Sequence, residues 1–112
     1  MKNKAVYISA ALDCINQIKQ YTSDYTLDTF LDDRKTQDAV IRNLEVIGQT
    51  IKDYGIDTLK AKIPQIPWAQ VAGMRNILAH EYLGVDIVMV WDTVQLHLAN
   101  LQTALEGCLV DD

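Results

Sequence analysis

Arg75, His80 and Tyr82 stand close together near the end of one apolar-periodic segment, just before Gly84. An arginine keeps its charge and can fork two donors onto a phosphate. A histidine gives or takes a proton near neutral pH. Together they are the minimum set for cutting an RNA phosphodiester without a metal. Asn76 follows Arg75 and could add a hydrogen bond to phosphate or fix the helix end. In a straight helix, five residues put the Cα atoms of Arg75 and His80 roughly 8–9 Å apart and about 140° around the axis. They do not stack on one face, but a long arginine side chain could still meet His80 at a phosphate beside the helix.

Each of these residues also has a plainer reading. Trp68, Val71, Met74 and Leu78 form the apolar stripe of the segment, and Arg75 and Tyr82 fall at its edge. A charge there is costly unless it is paired or lies at an interface. The plain expectation is an arginine paired with an acid on a neighbouring helix, a buried tyrosine, a histidine at a helix end and a solvated Glu81. His97 falls on the flank of the last apolar stripe and reads as structural. Other chemistries lack their residues. Leu83 and Gly84 stand where an HExxH motif would continue, and none of the three glutamates heads an ExxH pair. No glycine-rich phosphate loop is present. The sequence therefore calls for no metal and no cofactor.

The elements that must hold this set are helices. Ile8, Ala11, Ile15, Ile18 and Tyr25 form one stripe, widened by Leu12 and Tyr21. Val40, Leu44, Ile47, Ile51 and Tyr54 form a second. The third runs through Ile87, Trp91, Val94 and Leu98, then Leu101, Leu105 and Cys108. Steps of three and four residues mean amphipathic helices packed lengthwise, and no run alternates like a half-buried strand. Thr26 can cap a short helix through Phe30, and Asp32 or Asp33 can cap the second long helix, which Gly55 can end. Pro64 and Pro67 bracket a connector, and Pro67 suits the first turn of the helix bearing Arg75. Gly84 stops that helix and Asp86 caps the next. The expected fold is all-α: an antiparallel four-helix bundle with one or two short extra helices, one domain over residues 1–112.

Composition sets outer limits. The chain has 112 residues, 49% of them apolar, and a net charge of −5. That balance argues against broad nucleic-acid binding, which needs a basic face, but leaves room for a small local site. No apolar run approaches the ~20 residues of a spanning helix. The N-terminal residues Met1 to Leu12 continue a helical pattern that Asp13 interrupts, so they read as mature protein and not as a signal peptide. Cys14 and Cys108 lie at apolar positions and read as buried free thiols, which points to the cytoplasm.

The motif residues resemble a known family. Arg-x4-His-x-Tyr, as Arg75, His80 and Tyr82, is similar to the signature of HEPN-domain ribonuclease toxins of the HepT type. The resemblance extends over Ile66-Pro67-Trp68, over Gly73 to Tyr82, over Gly84-Val85-Asp86 and over Val90-Trp91. Asp33 to Val40 and Arg42 to Gly48 resemble that family's second helix. Gln49-Thr50 departs from it, since relatives commonly carry Glu-Ala there.

The resemblance implies a homodimer that brings two Arg75/His80 sets together, metal-independent cleavage of transfer RNA or message, and a toxin–antitoxin pair. The antitoxin partner would be a minimal nucleotidyltransferase that moves AMP from ATP to Tyr82. Chemically, a 2′-hydroxyl would attack its own phosphate, leaving a 2′,3′-cyclic phosphate and a 5′-hydroxyl. His80 would move the proton and Arg75 would stabilise the growing phosphoryl charge. The competing expectation is a noncatalytic helical module that binds the nucleotidyltransferase or a nucleotide; the acidic charge favours it.

Overall fold

A computed structural model describes residues 4–80 and 85–111, with side chains for 4–76 and 85–109. The described residues form α1 (Ala5–Thr22), α2 (Leu27–Leu31), α3 (Arg34–Tyr54) and α4 (Ile56–Lys62), then α5 (Trp68–His80), α6 (Ile87–Asp92) and α7 (Leu98–Asp111). A π-helical turn, Thr93–His97, joins α6 to α7 without a break. The four long members of this all-α bundle are α1, α3, α5 and the continuous α6–α7 rod. α1 packs on α3, α3 on α5, and α1 on α7. The short α2 and α4 are the two extra helices.

The caps fall where the sequence puts them. Thr26 and Thr29 form a reciprocal capping box at α2, and Asp33 Oδ1 accepts the Thr36 amide at 3.1 Å to open α3. Gly55, at φ 121°, ends α3 in a conformation that favours glycine. Asp86 accepts the Met89 amide at 3.1 Å and caps α6. Pro67 sits one residue earlier than expected: its carbonyl accepts from Gln70 and Val71, so it precedes the first helical residue, Trp68. Gly84 lies outside the described residues.

The core is the expected one, with local corrections. Ile8, Ile15, Ile18, Val40, Ile47 and Ile51 are all fully buried. Tyr25 does not extend the α1 stripe. α1 ends at Thr22, and the Tyr25 hydroxyl turns to the α3 cap, where it donates to Asp33 and lies 3.1 Å from Thr36 Oγ1. Tyr21 is exposed and does not widen the buried face.

In the last rod the buried positions begin at Val90 and run through Val94 to Leu98. Two consecutive steps of four would rotate a stripe by about 80° on an α-helix. The π turn, with its i→i+5 bonding, absorbs that drift and keeps all three residues on the core. Trp91 is only half-buried and packs on Phe30 of α2, with ring centroids 5.1 Å apart.

Candidate functional site

Two contacts fix α5, and with it Arg75. At its start, the Trp68 ring is fully buried and its indole N–H donates to the Ile63 carbonyl at 2.7 Å. That bond satisfies the one polar atom of the largest core side chain. A turn or two further on, α5 meets α3 backbone to backbone at Gly48. A methyl group on Gly48 would stand 3.0 Å from the Val71 carbonyl oxygen, 3.1 Å from the Arg75 nitrogen and 3.2 Å from the Ala72 carbonyl oxygen. Only a residue without a side chain lets the two helices approach so closely. The indole sets the height of α5 and the glycine contact sets its distance from α3. The direction in which residue 75 leaves the helix follows from both.

Arg75 is exposed. This corrects the expectation of a core-edge arginine paired with an acid. Among the described residues no carboxylate forms an ion pair with it, whereas Arg34 pairs with Asp38 at 3.7 Å. Its Nη1 donates to Asn76 Oδ1 at 3.4 Å, which is long for such a bond. The guanidinium thus leans on Asn76, and among the described residues no other hydrogen-bond partner is found for its five donors. Asn76 is exposed as well and acts as a rest for the arginine.

His80 is the last residue of α5. Its side chain lies outside those described. Tyr82 lies outside the described residues altogether. The structure therefore brings Arg75 and Asn76 together and fixes the helix that carries His80. Among the described residues, no group of histidines, cysteines and acids could hold a metal ion.

The same helix borders a second feature that the sequence did not announce. A cavity of about 400 Å³ lies between α5 and α7. Its floor includes Leu44, Val71, Met74, Leu98 and Leu101. Gln65, Gln70, Thr93, His97 and Asn100 add polar groups. His97, expected to be a structural residue on the flank of the core stripe, is exposed and lines this cavity. Nothing in the spacing singled out Gln70 or Asn100. The one readable signal was the repeated step of four from Val90 to Leu98, which marks the π turn beside the cavity.

Elsewhere the titratable groups serve the fold. Hydrogen bonds from the Tyr25 hydroxyl, then from the Thr36 amide and hydroxyl, hold the Asp33 carboxyl down to about 2. Cys14 and Cys108 are buried thiols in no disulfide among the described residues, as expected. Burial, reinforced by Asp13 and opposed by Arg42, pushes the Cys14 thiol up. Among the described residues no helix is long and apolar enough to cross a membrane.

Comparison with known proteins agrees with the motif. No solved structure matched the chain. A protein of Methanocaldococcus jannaschii named "Putative RNase" is 41% identical over 110 residues, covering 98% of this chain and 90% of the relative. "Probable ribonuclease HepT" of Thermococcus cleftensis is 39% identical over 100 residues, covering 89% of this chain and 90% of the relative. A second M. jannaschii protein, "Gamma-glutamylcyclotransferase and putative RNase", is 38% identical over 90% of this chain, which spans 45% of that relative. The family model described as Ribonuclease HepT-like matches residues 11–107, and the chain belongs to that family.

Proposed function

We propose that this chain is the toxin of a toxin–antitoxin pair and a metal-independent endoribonuclease. The observation that carries this reading is Arg75: a solvent-facing guanidinium with no carboxylate partner among the described residues, on a helix locked in place at Gly48. With no acid beside it among the described residues, its charge is available to an anion arriving from outside.

In the proposed reaction Arg75 binds the scissile phosphate and stabilises the charge that grows on its oxygens. His80 takes the proton from the RNA 2′-hydroxyl or gives one to the leaving 5′-oxygen, a contribution of about 10²–10⁴-fold. The products are a 2′,3′-cyclic phosphate and a 5′-hydroxyl. Asn76 holds the guanidinium in place. One motif histidine per chain cannot serve as base and acid at once. Two chains, each giving Arg75 and His80 to a shared cleft, supply both. The outer side of α5 is suited to that pairing. Ala69 and Asn76 are exposed, Gly73 has nothing within 4 Å of its missing side chain, and the spacing of His80 continues their line. Ala69 and Gly73 are small enough to let a second helix come close.

Silencing would come from a minimal nucleotidyltransferase that transfers AMP from ATP to the Tyr82 hydroxyl, releasing pyrophosphate. The adduct adds a phosphodiester charge two residues from His80 and so competes with RNA for the same site.

The test is incubation of purified, unmodified protein with total RNA in EDTA, with product ends mapped. Cyclic-phosphate and 5′-hydroxyl ends that vanish in His80→Ala are expected. A folded dimer that leaves all RNA intact would instead mark a noncatalytic binding module.

A further inference from the structure

We propose that the cavity between α5 and α7 is a nucleobase subsite, taking an uncharged base of the strand whose phosphate Arg75 holds. The inference rests on the ribonuclease reading above. Charge is the first argument. In a chain of 112 residues with ten basic and fifteen acidic side chains, none of the charged residues among those described lines this cavity. An ionised ligand there would find no counter-charge in the described lining. A neutral ligand needs none.

The polar groups narrow the class further. Gln65, Gln70 and Asn100 each present an amide with both donor and acceptor. Thr93 and His97 add a hydroxyl and an imidazole. Mixed donor and acceptor pairs are what the edge of a base requires, and Asn or Gln bidentate to adenine is a recurrent pairing. The floor of Leu44, Val71, Met74 and Leu98 offers apolar surface to a ring face. At about 400 Å³ the cavity has room for a base.

Position ties the cavity to the cut. Met74 lines it and Arg75 is the next residue. Gln70 precedes Arg75 by five residues, about 7.5 Å along the helix axis and about 140° around it, so base and phosphate would meet α5 on adjoining faces, with the long arginine side chain spanning the gap. The π turn supplies two of the polar groups, Thr93 and His97, and turns of this kind recur at functional sites. A base seated between α5 and α7 would place its own phosphate near residue 75.

The test uses the full-length chain, labelled with nitrogen-15 and titrated with adenosine, guanosine, cytidine and uridine. These probes carry no phosphate, so they report on the cavity apart from Arg75. The side-chain amide signals of Gln65, Gln70 and Asn100 are expected to shift and saturate with at least one nucleoside. Gln70→Ala combined with Asn100→Ala alters two exposed positions and should leave the fold intact by circular dichroism. It should weaken that nucleoside about tenfold, the loss of one or two hydrogen bonds. In RNA cleavage it should flatten the base preference beside the cut. Absence of any shift at the three amides would overturn the subsite, as would nucleoside binding unchanged by the double variant. Amide signals that move on simple dilution would assign the cavity to a second copy of the chain and overturn it too. If the wild type cuts RNA and the double variant keeps the same cut profile, the subsite fails while the ribonuclease reading stands. If the wild type binds a nucleoside but cuts nothing, the ribonuclease reading fails and the cavity remains a base site.

Discussion

Replacing Gly48 by alanine isolates the contact that positions Arg75. Gly48 and Gly107 both lie inside helices, α3 and α7, and neither has a positive φ. Alanine relieves the entropic cost of glycine in a helix by roughly 0.5–1 kcal/mol at either site. At Gly107 nothing lies within 4 Å of the new methyl group, so the gain is net. At Gly48 the methyl meets three backbone atoms of α5 at 3.0–3.2 Å, and backbone cannot swing aside as a side chain can. Overpacking of this sort costs about 1–3 kcal/mol.

The two variants should therefore differ by about 1–3 kcal/mol. At roughly 4 °C per kcal/mol for a chain of this size, that is a gap of about 4–12 °C in Tm. Gly107→Ala should melt above the wild type and Gly48→Ala at or below it, by differential scanning calorimetry. The functional consequence follows the same displacement. A misplacement of 1 Å can cost about 10²-fold in rate, so a shift of a few tenths of an ångström at Arg75 should slow RNA cleavage by roughly 3–10-fold. Gly107→Ala should leave the rate alone. Equal stabilisation by both alanines would refute the close approach, and with it the account of how Arg75 is aimed.

Further outcomes test the site and its scaffold. Arg75→Ala should abolish cleavage in EDTA while keeping helical content and Tm, because the exposed side chain leaves no buried acid behind; cleavage retained by a folded variant would remove Arg75 from the mechanism. Tyr82→Phe should keep RNA cleavage and escape silencing by the nucleotidyltransferase with ATP and magnesium, with no AMP addition in intact-mass spectra; an adduct on the variant would place the modification elsewhere. Asp33 is held down to about 2 by Tyr25 and Thr36, so its contribution to stability is complete above its ordinary value near 4 and lost as pH falls toward 2. Asp33→Asn should flatten the fall in Tm over that window, and an unchanged acid profile would deny the cap its role. Burial pushes the Cys14 thiol up, so iodoacetamide at neutral pH should label the native protein far more slowly than the urea-unfolded chain.

Much of this fold could be read from local chemistry because its decisive signals are local. Thr26, Asp33, Gly55 and Asp86 each act within one turn of their own position, and each cap or stop is found where the sequence puts it. Tyr25 departs from its predicted stripe because an aromatic residue at helical spacing looks like core, whereas its hydroxyl has a carboxylate to reach eight residues on. The register of Arg75 with Trp68 predicts a core-edge charge, and the structure exposes it. Register fixes an angle around the axis but not how far the neighbouring helix extends to cover it. The cavity was invisible for the same reason. Its walls come from α3, α5, the π turn and α7, which only the tertiary arrangement brings together.

The acidic charge that argued against nucleic-acid binding takes on a different sense once these positions are known. A protein that holds RNA through its field spreads cations along a face, and its affinity then collapses with salt. Among the described cations, Arg34 is paired with Asp38 and Lys62 lies over Tyr54 where α3 meets α4, whereas Arg75 has no ion pair. A net charge of −5 repels a polyanion at long range, so binding under the proposed function must come from contacts at short range: one guanidinium per chain on one phosphate, and an uncharged cavity for one base. Such a site discriminates by fit more than by charge. Its affinity should change little between low and physiological salt, with the slope of log Kd against log salt corresponding to about one or two phosphates per dimer. A slope of six or more would mean that a basic surface elsewhere does the holding, and that Arg75 is not the principal anion site.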